Sequence, residues 1–339
     1  MYLKNKINFA KAILSANLFN KRTPLNVTWW ITDLCNARCS YCRVPQRKQI
    51  EPTTEQVLDL IEQMKLAGTQ RIGFSGGEPL LREDIEKIIE SCKENNIYVT
   101  LITNGYLVPE KINLLKKLDY LFISFDGPKE IHEKNREKGS FKKVYKALKM
   151  APKFCPVITH TVFTKHNLNS IDYILNLAKK YGFQTTFSPL HGSMDISPTN
   201  KEYEYVFTKL LERKKQRYPV AISSAALRFY LKWGHFSTFT KEKNYKGFLK
   251  CWGGKLSCNI DVDGTIAPCC YTKDKSSSNV FKIGFKEAFD RLNENLCKSC
   301  INSTPLIEYN LIFSLNLRAI YDWIKIVNFS RRRKNGYQN

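Results

Sequence analysis

The chain has 339 residues, of which 43% are hydrophobic and 25% charged, and 54 Lys and Arg stand against 31 Asp and Glu for a net charge of +23. This composition excludes wholesale disorder, collagen and coiled coil. At ~100–200 residues per domain the length allows one large domain and one smaller one. The basic excess suits anionic partners such as nucleic acid, an acidic membrane surface or phosphorylated substrates. Most of the lysines read as solubilising surface residues, and the two ends of the chain are the exception.

Residues 1–24 carry Lys4, Lys6, Lys11, Lys21 and Arg22 and no acid. Ile7, Ala10, Leu14 and Leu18 recur at helical spacing, which predicts a basic amphipathic helix. Such a face ordinarily packs on its own domain; the alternative is contact with an anionic membrane surface. Lys11 splits the apolar part and no small-residue cleavage site follows, so no signal peptide is expected. No apolar stretch approaches the ~18–20 residues of a membrane span. The expected location is cytoplasmic, with peripheral membrane attachment as the added option.

Residues 25–190 alternate β-rich and helical runs. Strands are predicted at Asn26–Thr32, Arg71–Ser75, Tyr98–Thr103, Tyr120–Phe125, Val157–Phe163 and Gln184–Ser188, all rich in β-branched or aromatic residues. Between them Thr53–Ala67, Glu83–Asn95 and Leu168–Tyr181 place apolar residues on one helical face. Strand–helix repetition implies parallel strands with right-handed crossovers. Six units are fewer than the eight of a closed barrel, so the expected fold is α/β, a partial (β/α)6 TIM-type barrel with its chemistry at the C-terminal strand ends. Residues 191–250 read as a helical linker with helices at Lys201–Arg217 and Ser223–Gly234 and a basic, aromatic loop at Phe236–Lys250. Residues 251–305 form a small Cys-rich domain that includes the Ser276–Ser278 run. Residues 306–339 read as one apolar helix followed by the basic tail Arg331–Lys334.

The 11 cysteines are an odd number in a long chain, which argues against a secreted disulfide framework and for metal ligands. Cys35, Cys39 and Cys42 follow the first strand with three and two residues between them, so one tight loop can gather three thiols. A structural zinc site wants four protein ligands. An iron–sulfur cluster held by three thiolates instead leaves one iron open to a small molecule. Lone Cys92 and Cys155 read as packing residues.

The pattern C-x-x-x-C-x-aromatic-C after a first strand resembles the radical S-adenosylmethionine (SAM) superfamily. The resemblance implies a 4Fe-4S cluster whose free iron chelates SAM, reductive cleavage to a 5′-deoxyadenosyl radical, and hydrogen abstraction from substrate. It assigns Tyr41 to the adenine, and the Gly76-Gly77-Glu78-Pro79 run to the family motif that holds the SAM amino group. Thr103, Asn104, Ser124 and Asp126, at the ends of the third and fourth strands, would meet the ribose. Arg136 would pair with the SAM carboxylate, for which a guanidinium fork is suited; the alternative for Arg136 is a surface ion pair with Glu133 or Glu137. Thr161 and Asn167 are the candidates for a contact from the fifth strand.

The second cysteine group resembles the auxiliary-cluster extension called SPASM or, when halved, twitch. Asp263-Gly264 is a hairpin turn between Asn259–Val262 and Thr265–Ala267. Cys251, Cys269, Cys297 and Cys300 form the preferred ligand set of a single auxiliary 4Fe-4S cluster, with Cys258 and Cys270 as alternatives; a structural zinc site is the competing reading. The implied partners are a reductant protein of flavodoxin or ferredoxin type and a peptide, carbohydrate or lipid-linked substrate. No specific nucleic acid is expected. The rival to this enzyme is a basic, zinc-containing nucleic-acid-binding protein, which leaves the three-thiol loop and the Gly-Gly-Glu run unexplained.

Overall fold

The computed structural model describes residues 3–190, 195–234, 236, 240–241, 249–270, 278–293, 299–301 and 303–336, with the backbone alone for 3–6, 240–241, 299 and 330–336. Cys297, most of the basic loop and Ser276–Ser277 lie outside the described residues.

The chain opens with helix α1 (Leu3–Leu18), then strand β1 (Asn26–Thr32). Five helix–strand steps follow: α2 (Thr54–Leu66) and β2 (Arg71–Gly76), α3 (Ile85–Glu94) and β3 (Tyr98–Thr103), and α4 (Ile112–Lys117) and β4 (Tyr120–Ser124). They continue through α5 (Lys129–Asn135), α6 (Ser140–Met150) and β5 (Val157–Phe163) to α7 (Ile171–Tyr181) and β6 (Gln184–Pro189). All six strands pair in parallel and in sequence order. Every C-terminal strand end therefore lies on one edge of the sheet, as a partial barrel requires. One face of each strand packs against helices: Val27, Trp29 and Ile31 of β1 and Ile72 and Phe74 of β2 are fully buried with Val57, Ile61 and Met64 of α2. A capping box at Thr53 and Gln56 starts α2, a device worth about 1 kcal/mol.

Helices α8 (Asn200–Lys215) and α9 (Ser224–Trp233) come from the segment read as a linker, and both pack into the same core. Phe207 and Tyr230 stack at 4.3 Å, and the backbone of Val220 bridges β6 at Thr185. After the two-residue β7 (Thr240–Lys241), β8 (Ser257–Ile260) returns beside β1 and pairs with it in parallel, Asn26 opposite Ser257 and Trp29 opposite Ile260. The predicted hairpin joins β8 to β9 (Ile266–Ala267). The Cys-rich segment thus continues the main sheet, and Asp261 at the end of β8 lies on the same edge as the barrel strand ends. Short α10 (Val280–Ile283), α11 (Phe285–Asp290) and β10 (Ser299–Cys300) lead to α12 (Thr304–Phe313) and α13 (Leu317–Gly336).

Two expectations need correction. The apolar pattern from 306 is two helices, broken where Leu315 takes a left-handed backbone, φ 58°. On α1 the packing face is Phe9, Ala12, Ile13 and Ala16, whereas Ile7, Ala10, Leu14 and Leu18 face outward. Below the sheet, Arg71 donates to Thr100 Oγ1 and Asn26 Oδ1 at 2.5 Å each, and Tyr309 of α12 lies 5.1 Å beneath its guanidinium.

Candidate active site at the C-terminal strand ends

Strand β1 ends in a register shift between Trp30 and Thr32, and the chain turns out into the loop that carries Cys35, Cys39 and Cys42. Three neighbours fix this loop. The first is the Gly-Gly-Glu run at the end of β2. Gly77 N donates to Thr32 O at 2.8 Å and Glu78 N to Leu34 O at 2.7 Å. A Cβ on Gly76 would stand 2.3 Å from Thr32 O, and one on Gly77 2.1 Å from Leu34 O. Only glycine permits this approach.

The second neighbour is the end of α5. Ser40 donates to Asn135 O through its backbone N–H at 3.3 Å and its hydroxyl at 3.0 Å, and Arg38 N donates to Glu137 at 2.9 Å. Arg136, between those two anchors, is the third. Its Nε and Nη2 reach both oxygens of Asp126 at 2.7 and 3.3 Å, and its Nη1 stands 3.7 Å from Cys39 Sγ. The alternative partners are excluded by position: Glu137 serves Arg38, and the Arg136 side chain is 10% exposed against 0% for Asp126. Against the cost of burial, Asp126 first and then Tyr41 and Cys39 hold the guanidinium pKa well above its ordinary value. Breaking a buried pair leaves a charge uncompensated, so Asp126→Ala is expected to lower unfolding stability by about 3–5 kcal/mol. Urea unfolding measures this, and a loss under about 1 kcal/mol contradicts it.

The thiols are free and half-buried. Burial, then proximity to Glu78, Cys39 and Cys42, pushes the Cys35 thiol up against one backbone hydrogen bond. Burial does the same to Cys39, with Arg136 pulling back and Cys42 adding to the rise. The three sulfurs therefore sense one another, and as bare thiolates they would repel. Among the described residues no three His, Cys, Asp or Glu side chains close on a single ion. A cubane accepts each thiolate on a different iron, so its ligands stand further apart than those of one ion. Around the loop, Tyr41 Oη, His132 Nε2 and Asn135 Nδ2 are buried polar atoms with no hydrogen-bond partner among the described residues. Buried polar atoms are almost always satisfied, so these suit a bound polar cofactor. Cationic iron and a nucleotide fit this donor set.

Glu78 is fully buried. Its Oε1 accepts from Thr103 Oγ1 at 2.8 Å and Leu80 N at 3.1 Å, and its Oε2 from Asn104 N at 2.7 Å. Burial pushes the carboxyl up to about 7 in spite of these bonds. The side chain thus braces β2 to β3, and the Gly-Gly-Glu run meets the loop through its main chain. Asn104 Nδ2 donates to Asn36 Oδ1 at 2.7 Å, which puts it against the cysteine loop, and Ser124 is half-buried opposite His160. Thr161 and Asn167 are corrected: the Thr161 hydroxyl donates to Phe125 O at 2.6 Å, and Asn167 bridges Thr164 N and Val162 O. Both are spent on backbone and are fully buried.

In the Cys-rich segment, Cys251, Cys269, Cys270 and Cys300 are half-buried, whereas Cys258 is 3% exposed within β8 and burial raises its thiol strongly. Cys258 is a core residue, as are Cys92 and Cys155. Cys270 contacts Cys269 and senses Cys300, so it belongs to the same thiol group.

The sequence reading passed over the residues that join the two thiol groups. Arg47 lies 3.3 Å from Asp33 and also pairs with Asp261, with Trp30 4.9 Å beneath its guanidinium. His160 was missed as well; burial pushes it down to about 4, so it is neutral at pH 7, and it bonds Ser188 at 2.8 Å. Neither has a local signature, since each partner lies far along the chain.

The parallel partial barrel, the thiol loop and its orphaned polar rim define a class first: an α/β enzyme that works with a bound iron–sulfur cluster. The sequence pattern of the radical SAM superfamily matches residues 30–178, the stretch from the first strand to the seventh helix. The GTP 3′,8-cyclase of Clostridium botulinum (strain Okra / Type B1) is 28% identical over 289 residues, 78% of this chain and 87% of the cyclase. The mycofactocin maturase MftC of Mycobacterium tuberculosis (strain ATCC 25618 / H37Rv) is 26% identical over 305 residues, 82% of this chain and 75% of the maturase. Among solved structures, Streptococcus suis SuiB bound to S-adenosylmethionine shares the fold with a TM-score of 0.65 at 14% identity, over 83% of this chain and 69% of SuiB. The structure of anSMEcpe with bound AdoMet does so with a TM-score of 0.62 at 21% identity, over 88% of this chain and 98% of anSMEcpe. The expected fold class stands, and the chain is a radical SAM enzyme whose family cofactors are a 4Fe-4S cluster and SAM. The zinc-containing nucleic-acid-binding alternative finds no support in these likenesses. Among the described residues no helix is long and apolar enough to cross a membrane.

Proposed function

We propose that Cys35, Cys39 and Cys42 ligate the SAM-binding 4Fe-4S cluster within a catalytic unit of residues 25–190. In the same reading residues 251–305 hold one auxiliary 4Fe-4S cluster through Cys251, Cys269, Cys297 and Cys300. Bound in the first site, the cluster and SAM supply one-electron cleavage of the sulfonium and the hydrogen-atom abstraction characteristic of the superfamily. The chain's own residues orient and shield. Arg136, fixed along one edge by Asp126, turns its remaining N–H groups toward the SAM carboxylate. Tyr41 lies beside that guanidinium, 5.5 Å from it, and offers its ring to the adenine. Gly76, Gly77 and Glu78 present main chain to the SAM amino group, while Thr103, Asn104 and Ser124 line the ribose side. Asp126 acts through Arg136.

The single observation that supports this reading is the gathering of three unbridged, half-buried thiols beside orphaned polar atoms at the C-terminal strand ends. A flavodoxin- or ferredoxin-type protein delivers the electron, and the substrate is a peptide, carbohydrate or lipid-linked molecule. The test is anaerobic purification, iron and sulfide analysis, and 5′-deoxyadenosine formation from SAM with dithionite. Brown protein with iron, sulfide and 5′-deoxyadenosine is expected. Colourless protein with stoichiometric zinc defeats the proposal.

A further inference from the structure

The two ends of the chain build a surface that the active site does not use. Of the twelve large apolar side chains exposed among the described residues, eight belong to α1 and its exit or to α13 and the turn before it. On α1 these are Ile7, Leu14 and Leu18, with Phe19 just past the helix. Residues seven and eleven apart lie about two and three turns on, so the three share one face. That face is opposite the buried Ile13 and Ala16. Helix α13 is built alike: Leu317, Tyr321 and Ile324 are 81%, 58% and 47% exposed, while Ala319 and Asp322 are buried behind them. Exposed Lys11 flanks the first stripe, and exposed Arg318 and Lys325 flank the second.

Acid is missing from this exterior. Helix α1 has none, and the one acid of α13, Asp322, turns inward to accept from Ser224 N and Oγ at 2.6 and 2.7 Å. Helix α1 also meets the end of α12, the helix that leads into α13. The rings of Phe9 and Phe313 lie 6.0 Å apart, and Asn17 Nδ2 donates to Phe313 O at 2.9 Å. Two residues on, Leu315 sits 40% exposed with a left-handed backbone, φ 58°. Glycine or asparagine is the usual residue at such a helix exit. A leucine there accepts backbone strain and adds one more apolar side chain to the outside.

We propose that the exposed stripes of α1 and α13, two helices bridged by the end of α12 at Phe313, dock on an anionic lipid bilayer. The apolar stripes enter the headgroup–acyl boundary while the flanking Lys and Arg meet lipid phosphates, the construction of an interfacial helix. Charge selects this occupant. A second copy of the chain would oppose a net +23 to another +23, whereas an anionic surface complements it. The surface stands apart from the catalytic reading and does not depend on it.

The test sediments the anaerobically purified full chain with phosphatidylcholine vesicles, with and without about 30% phosphatidylglycerol, at low and high salt. Binding to the anionic vesicles is expected to be about tenfold tighter or more, and to weaken with salt. Leu14→Glu/Leu18→Glu and, separately, Leu317→Glu/Ile324→Glu are each expected to reduce that binding about tenfold or more. Melting temperature and 5′-deoxyadenosine formation should stay at the wild-type level in both. Absent binding, binding indifferent to phosphatidylglycerol, or variants that bind like wild type overturn the proposal. So does a concentration-dependent dimer that the Leu14/Leu18 variant abolishes. Because SAM cleavage is read in the same samples without vesicles, failure of the surface and failure of the catalytic assignment are told apart.

Discussion

Cys39→Ala is expected to give no measurable 5′-deoxyadenosine from SAM under dithionite, a loss of at least about a thousandfold, since a cofactor site without its metal has no substitute for the cofactor's chemistry. Cys258→Ala is expected to leave the yield near wild type. The contrast rests on environment. Cys39 is half-buried on the loop, within Coulombic reach of Cys42 and 3.7 Å from Arg136. Cys258 lies in β8 opposite Val27, where it is 3% exposed and packs as a small hydrophobe. Its truncation should cost about 1 kcal/mol of stability, the scale of a small buried group. Iron analysis separates the two sites: the Cys39 variant should keep the iron of the auxiliary cluster and lose the rest. Equal 5′-deoxyadenosine yields from the two variants would contradict the assignment of the first loop, and loss of activity in Cys258→Ala would make that thiol more than a core residue.

The strands were legible because their residues answer to local rules. β-Branched and aromatic runs separated by amphipathic segments locate β1 through β6 within a residue or so of their observed ends. The thiol loop was legible for the same reason, its three cysteines lying within eight residues. What supports the loop was not. Asn135 and Glu137 bind it through a carbonyl at the end of α5 and a carboxylate just past it, nearly a hundred residues on. The Arg47–Asp261 pair depends on β8 returning beside β1, and a four-residue strand in a Gly- and Cys-rich stretch gives little periodicity to read. On α1 the apolar set at helical spacing was found, but periodicity alone does not say which of two apolar faces is covered. The core took Phe9, Ala12, Ile13 and Ala16 and left the other stripe outside.

The return of β8 carries a consequence for the two thiol groups. Parallel pairing sets Asp261 on the same sheet edge as Asp33, and Arg47 spans the two carboxylates from the segment just after Cys42. The loop that holds the first three thiols and the hairpin that leads to Cys269 are therefore braced through one guanidinium. A pair this far apart in sequence can hold the two thiol-bearing segments at a fixed separation, which a flexible tether could not do.

Gly77→Ala is expected to reduce SAM cleavage about a hundredfold or more although residue 77 offers no side chain to any cofactor. The added Cβ would stand 2.1 Å from Leu34 O and 2.7 Å from Leu34 C, backbone atoms one residue before Cys35. Backbone cannot yield as the tip of a long side chain can, so the loop must move by about an ångström, a shift of the size that costs a reaction two orders of magnitude. The same movement lengthens the Glu78 N to Leu34 O bond, now 2.7 Å, that ties the loop to β2. Gly139→Ala is the matched control. Its φ of +82° also strains an alanine, but no heavy atom lies within 4 Å of the added Cβ, so it should lose about 1 kcal/mol of stability and keep its iron and activity. Circular dichroism checks that both variants fold, and iron content and 5′-deoxyadenosine yield check the site. A Gly77→Ala enzyme with wild-type iron and turnover would mean that the close approach of the Gly-Gly-Glu run is not what holds Cys35 in place.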